Sequence, residues 1–178
     1  FEAAGFIVSL FYDEESVSPR EDDNLGKMVC WHRRYNLGDE KIKPSNFESM
    51  GELEASFDAR IVLPLYLYDH GGITMRTSPF GDPWDSGQVG FIYATAEAIR
   101  NEYGVKRITQ KVEAKAREFL EGEVKDYDQY LTGAIYGWVV RNGAGERVDS
   151  RWGIFGLKCA QEEAQAALAS ASNGKKEV

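Results

Sequence analysis

The sequence predicts an α+β protein: a single domain spanning 1–178, with a mostly antiparallel sheet and helices packed on one face. Three observations carry that prediction. Short runs of β-branched and aromatic residues flank Gly, Asp and Asn turn signals, the pattern of hairpins rather than parallel crossovers. Two stretches, Ile108–Leu131 and Lys158–Ser170, show helical apolar spacing. No linker or internal repeat divides the chain, whose 178 residues and 43% hydrophobic content suffice for one core.

In chain order, FIVSLFY (Phe6–Tyr12) reads as a first strand. DEESVSPREDD (Asp13–Asp23) is strongly acidic and contains Pro19. It reads as a solvated loop, or as an acidic arm that offers Glu14, Glu15, Asp22 and Asp23 to a basic partner. Met28–Trp31 is a short strand, followed by a turn at Gly38-Asp39. Asn46–Phe57 is an acidic amphipathic helix capped by Ser45 or Asn46. The most apolar run, Ile61–Tyr68, reads as a strand buried on both faces, with Pro64 pointing to an edge or a bulge.

Asp69-His70-Gly71-Gly72 turns the chain back into a strand at 73–77. The stretch 78–87 (SPFGDPWDSG) holds two prolines and two glycines and must be a loop. Gln88–Ala94 is the next strand, and Thr95 caps a helix over Ala96–Tyr103 that Gly104 closes. The helix over Ile108–Leu131 takes Thr109 as its cap. It places Val112, Ala116, Phe119, Leu120, Val124 and Tyr127 on a core stripe, with Glu121 and Glu123 outside it. Gly122 is a position for a bend or a break. Ala134–Arg141 and Arg147–Phe155 form a hairpin around Asn142–Gly145, Lys158–Ser170 is a last helix, and 171–178 is a frayed tail.

Charge and composition narrow the function. Twenty-nine acidic against 21 basic residues give a net charge of −8, which argues against affinity built on phosphate contacts. The same charge keeps a chain in solution, and it also suits a partner with a basic surface. No apolar run approaches the roughly 18 residues that span a bilayer, so no membrane contact is expected. The opening FEAAGFIVSLFYDEE has neither a basic region nor a cleavage site, which predicts a cytoplasmic protein. The missing initiator Met is read as a start inside a longer product. Cys30 and Cys159 are too far apart in sequence for a disulfide framework and are expected to be two buried thiols.

Candidate chemistry lies in two places. Cys30 and His32 would share one strand face, but a zinc site needs two further ligands, and a thiolate–imidazole pair needs a closer approach. Arg33 and Arg34, between Trp31 and Tyr35, suit a phosphate, a carboxylate or a stacked base, or equally an internal salt bridge. Asp69, His70, Asp82 and Asp85 fall in turns beside the central strands. There they suit a general base or an ion, or simply finish turns. Trp84, in an irregular loop, reads as a partner anchor or as a pin on the core. No Walker A, G-x-S-x-G, H-E-x-x-H or paired C-x-x-C pattern is present, so neither a metal nor a cofactor is expected.

Four stretches, DNLGKMVCWHRRYNLGDE (23–40), LPLYLYDHGGITM (63–75), PWDSGQVGFIY (83–93) and YDQYLTG (127–133), resemble a family of uncharacterised bacteriophage, prophage and other mobile-element proteins. The resemblance runs from about Phe6 to the last helix and brings no catalytic residues with it. It implies a mobile-element setting, where small acidic proteins often disarm host defences by occupying nucleic-acid-binding surfaces.

Two expectations follow. The leading one is a non-enzymatic accessory protein, an anti-CRISPR or antirestriction type of inhibitor, in the host cytoplasm. It would bind a host protein or nucleoprotein complex through Glu14, Glu15, Asp22, Asp23, Arg33, Arg34 and Trp84, with a homo-oligomer as a further option. The alternative is a small enzyme acting on nucleic acid or a nucleotide, with His32, His70, Asp69 and Asp85 as its site. Convergence of those four residues in one pocket separates the two.

Overall fold

A computed structural model describes residues 1–43, 45 and 50–173. It shows an α+β fold with two largely antiparallel sheets where the sequence suggested one. The chain groups into two compact units, one formed by Phe1–Ser18 with the chain from Gln129 onward, the other by Pro19–Asp128.

The first unit holds a four-stranded sheet in the order β1 (Glu2–Ala3), β2 (Phe6–Tyr12), β8 (Ile135–Arg141), β9 (Arg147–Phe155). The two-residue β1 was not anticipated. The β8–β9 hairpin closes as expected: the Asn142 side chain accepts the backbone N–H of Ala144 and of Glu146, and Gly145 takes a positive φ. Helix α4 (Leu157–Asn173) lays Ala160, Ala164 and Leu168 on Phe6, Val8, Trp138, Val140 and Ile154. Its alanines permit close approach, because a methyl group is all that stands between helix and sheet. The proposed tail overlaps the end of α4 at 171–173, and 174–178 lie outside the described residues.

The second unit holds a five-stranded sheet in the order β4 (Glu40–Lys41), β3 (Lys27–Cys30), β7 (Ser86–Thr95), β5 (Ala59–Asp69), β6 (Ile73–Arg76). β5 is not uniformly buried. Ile61, Leu63, Leu65 and Leu67 are buried and the alternate residues half-buried, the period-2 signature of two unlike faces. Pro64 is tolerated because β6 pairs only with Tyr66–Asp69. At Pro64 the strand has β7 on one side alone, and the missing N–H interrupts no second ladder. On one face Phe91, Tyr93 and Val29 pack with Trp31, Phe57 and Val62. Helix α1 (Met50–Ser56) lies against β5; the rest of the predicted helix, 46–49, is outside the described residues.

Helix α2 (Ala96–Tyr103) is capped as expected, with Thr95 Oγ1 accepting the Ala98 N–H and Gly104 in the left-handed conformation. Helix α3 (Gln110–Leu131) runs unbroken through Gly122 and buries Ala116, Leu120, Val124 and Tyr127. Two positions on it depart from the stripe: Phe119 is 48% exposed and Glu123 is buried. Glu123 is inside because it meets a set of donors. Its carboxylate accepts the backbone N–H of Leu25 (2.7 Å) and Gly26, and Arg20 Nη1 at 3.2 Å. Arg20 in turn grips Asp39 with Nε at 2.8 Å and Nη2 at 2.7 Å. Further along α3, Asp128 accepts Thr74 Oγ1 and the Met75 N–H, both at 2.7 Å. Burying a polar group costs least where partners replace water, and α3 is tied to its sheet by such partners as well as by apolar contact.

Candidate functional site

Topology creates the site. β3 and β5 both run antiparallel to β7, so their C-terminal ends and the beginning of β7 meet at one end of the sheet. A cleft of about 430 Å³ opens there, lined by His32, Arg34, Leu67, Asp69, Trp84, Asp85, Ser86, Gly87 and Val89.

Residues 31–35 leave β3 in a tight turn built on an imidazole. His32 Nδ1 accepts the backbone N–H of Arg34 (3.3 Å) and of Tyr35 (3.2 Å), and the Tyr35 ring stacks on it at 5.0 Å and 13°. Two incoming N–H groups leave Nδ1 no proton, so the neutral ring carries its hydrogen on Nε2. The His32 pKa is lowered, chiefly by burial; Asp69 opposes the shift, and Arg34 and Lys41 add to it. The turn is closed from above by Asp69, which accepts Arg34 Nη1 on one oxygen and the Tyr35 hydroxyl on the other, both at 3.1 Å. The internal salt bridge anticipated for the arginine pair is therefore present at Arg34, whereas Arg33 is exposed.

The opposite wall is the loop before β7, which ends at Asp85, so Ser86 and Gly87 already belong to the strand. Asp82 folds this loop by accepting the backbone N–H of Trp84 (2.8 Å) and Asp85 (3.3 Å), and the Ser86 hydroxyl donates to the Asp82 carbonyl. Trp84 is 91% exposed: the loop holds it out from the surface and does not pin it on the core. Asp85 is joined to the β5–β6 turn twice. Its carbonyl accepts the Asp69 N–H (2.8 Å), and its carboxylate lies 2.7 Å from Nδ1 of the exposed His70. A carboxylate at this distance accepts a proton carried on Nδ1, and in the neutral ring that tautomer leaves Nε2 as an acceptor. Beside it, Tyr68 stacks between His70 and Phe80, with Arg76 above Phe80 at 3.9 Å.

Three of the four predicted residues, His32, Asp69 and Asp85, line the cleft; His70 is not among its lining residues and is tied to it only by its contact with Asp85. Arg34 and Trp84 belong to the same wall. Leu67, Ser86, Gly87 and Val89 line the cleft without having been singled out in the sequence, whereas Tyr35 does not line it and acts on its wall by holding Asp69. Other proposed contacts lie elsewhere. Glu14, Glu15, Asp22 and Asp23 are exposed, and Arg20, from the same acidic stretch, is buried in ion pairs.

Of the two thiols expected to be buried, one is and one is not. Cys30 is buried, with its sulfur against Gly38 and Gly90, and burial, reinforced by Asp39, pushes its thiol up to about 12. Because His32 Nδ1 is occupied by backbone donors, the two do not form a nucleophile–base pair. Cys159, expected to be buried, is exposed, because it lies off the Ala160–Ala164–Leu168 stripe of α4. Among the described residues no group of three or more His, Cys, Asp or Glu is placed to hold a metal ion, and no helix is long and apolar enough to cross a membrane. The chain matches no family model, no curated protein and no solved structure.

Proposed function

We propose that this protein works through the cleft at the end of the five-stranded sheet, on a nucleotide or the end of a nucleic-acid strand. In this reading His70, oriented by Asp85 beside the cleft, is the acid–base group, Trp84 the stacking surface, and Arg34, paired with Asp69, part of the wall. The observation that supports it is convergence: residues from three separate stretches, 32–34, 67–69 and 84–89, line one cavity, and His70 bonds Asp85 in its wall. A cleft of this size is in the range that holds small ligands.

The test is a survey of nucleotides and short oligonucleotides by calorimetry and by product analysis, with the native chain and with His70→Asn. Binding or turnover by the native chain, with turnover lost in the variant, is the expected result. Absence of both across the survey removes the enzyme reading.

A second reading is favoured by Trp84 and by the free carboxylates. An anti-defence inhibitor of phage origin, in the host cytoplasm, would use the projecting indole as an anchor and Glu14, Glu15, Asp22 and Asp23 against a basic nucleic-acid-binding surface. Its test is capture of purified CRISPR or restriction complexes, with a salt titration. Capture that ignores salt and survives charge reversal at those four positions counts against the electrostatic contact.

A further inference from the structure

We infer that His32 serves the cleft as a fixed, neutral hydrogen-bond donor, and that the group seated there is the edge of a nucleobase rather than a phosphate. This rests on the reading of the cleft as a ligand site and names the part of the ligand that enters it.

The donor assignment follows from geometry. Backbone N–H groups can only donate, and two of them point at His32 Nδ1. Placing a proton on Nδ1 would set N–H against N–H and break the turn that carries Arg34 and Tyr35 to Asp69. The ring therefore offers its remaining polar atom, Nε2–H, as a donor. The depressed pKa of His32 agrees with a ring that stays uncharged.

The ligand's character follows from what surrounds that donor. Asp69 and Asp85 accept hydrogen bonds and donate none when ionised. Each already faces one basic partner, Arg34 and His70 respectively. A phosphate placed in the cleft would meet two carboxylates with little cationic charge to spare, an arrangement that costs free energy. A nucleobase edge suits these walls: N–H groups for the lone pairs that remain on the carboxylates, a carbonyl or ring nitrogen for His32, and a flat face for Trp84. The phosphate of a nucleotide then lies outside the cleft.

The experiment is a titration of the full chain, labelled with ¹⁵N-histidine and ¹⁵N-tryptophan, followed by imidazole ¹⁵N and indole ¹H–¹⁵N signals, with Trp84 assigned by its Trp84→Phe variant. The probes are the four free ribonucleosides, inorganic phosphate and ribose 5-phosphate. The free protein should show His32 as the Nε2–H tautomer, and at least one nucleoside should shift both His32 Nε2 and the Trp84 indole, while the phosphates leave them in place. His32→Asn supplies an amide oxygen where Nδ1 stood, so it keeps both turn bonds and loses the Nε2–H. It should retain the unfolding midpoint and weaken nucleoside binding roughly five- to tenfold.

An Nδ1–H tautomer in the free protein, or undiminished binding by His32→Asn, overturns the donor role. If the phosphates shift these signals and the nucleosides do not, the base-edge assignment fails while the cleft stands as a ligand site. If no probe shifts them, the nucleotide reading of the cleft fails with it.

Discussion

Gly90 decides how closely β3 approaches β7, and hence where His32 sits. A Cβ built on Gly90 would lie 2.9 Å from Cys30 Sγ and 3.1 Å from Cys30 Cα, and nearer still to the Val29 carbonyl oxygen. Gly90 and Cys30 are register partners, and the Trp31 N–H bonds the Val89 carbonyl at 2.8 Å one step away. The obstacle is backbone, which cannot rotate aside as a flexible side chain would. Overpacking of a tight interior costs about 1–3 kcal/mol, and a backbone obstacle places Gly90→Ala at or above the upper end, about 3 kcal/mol.

Gly87→Ala, in the same strand with nothing within 4 Å of its Cβ, is the control and should stay within about 0.5 kcal/mol of the native chain. Urea unfolding followed by tryptophan fluorescence measures both. Gly90→Ala should lower the midpoint without changing the slope, and should shift the His32 imidazole signals as β3 moves. Equal stability of the two variants would refute the close-approach argument, and an unmoved His32 would refute its link to the cleft.

Further outcomes follow from the buried groups and the rim. Arg20→Ala leaves the carboxylates of Glu123 and Asp39 without their cation and should cost about 3–5 kcal/mol by chemical denaturation. The Glu123 pKa is raised above its ordinary 4.5, chiefly by burial, against the bonds from Gly26, Arg20 and Leu25 that lower it. The stability due to its protonated form is thus complete below about pH 4.5 and is lost as pH rises through the folded-state value. Glu123→Gln has no such titration, so its stability relative to the native chain should improve from pH 4.5 upward, as denaturation at a series of pH values would show. At neutral pH a thiol reagent should label Cys159 in the folded chain and leave Cys30 untouched, with Cys30 reacting after denaturation. Trp84→Ala should leave the unfolding midpoint within experimental scatter while abolishing the binding that either functional reading requires, as calorimetry or complex capture would show.

Local patterning determined a good deal by itself. The strand at Ile61–Tyr68, the Thr95 cap with Gly104, the Asn142–Gly145 turn and the helical stripe of Ala116, Leu120, Val124 and Tyr127 are written in neighbouring residues, because period, capping and turn chemistry act over a few positions, whereas the two unlike faces of that strand are not. These were enough for an α+β class with antiparallel pairing, and for naming His32, Asp69, His70 and Asp85 as a set worth testing. The tertiary structure decided what depends on distant partners. The separation into two sheets rests on β2 pairing with β8, which stands more than 120 residues away in sequence. The burial of Glu123 rests on Arg20 and on the N–H groups of Leu25 and Gly26, nearly 100 residues upstream. The surroundings of His70 belong to the same class, since a carboxylate from another loop meets its Nδ1, whereas Nδ1 of His32 is met by the backbone N–H groups of its near neighbours Arg34 and Tyr35. A side chain's chemistry is set by what folding brings against it, and sequence spacing alone does not specify that contact.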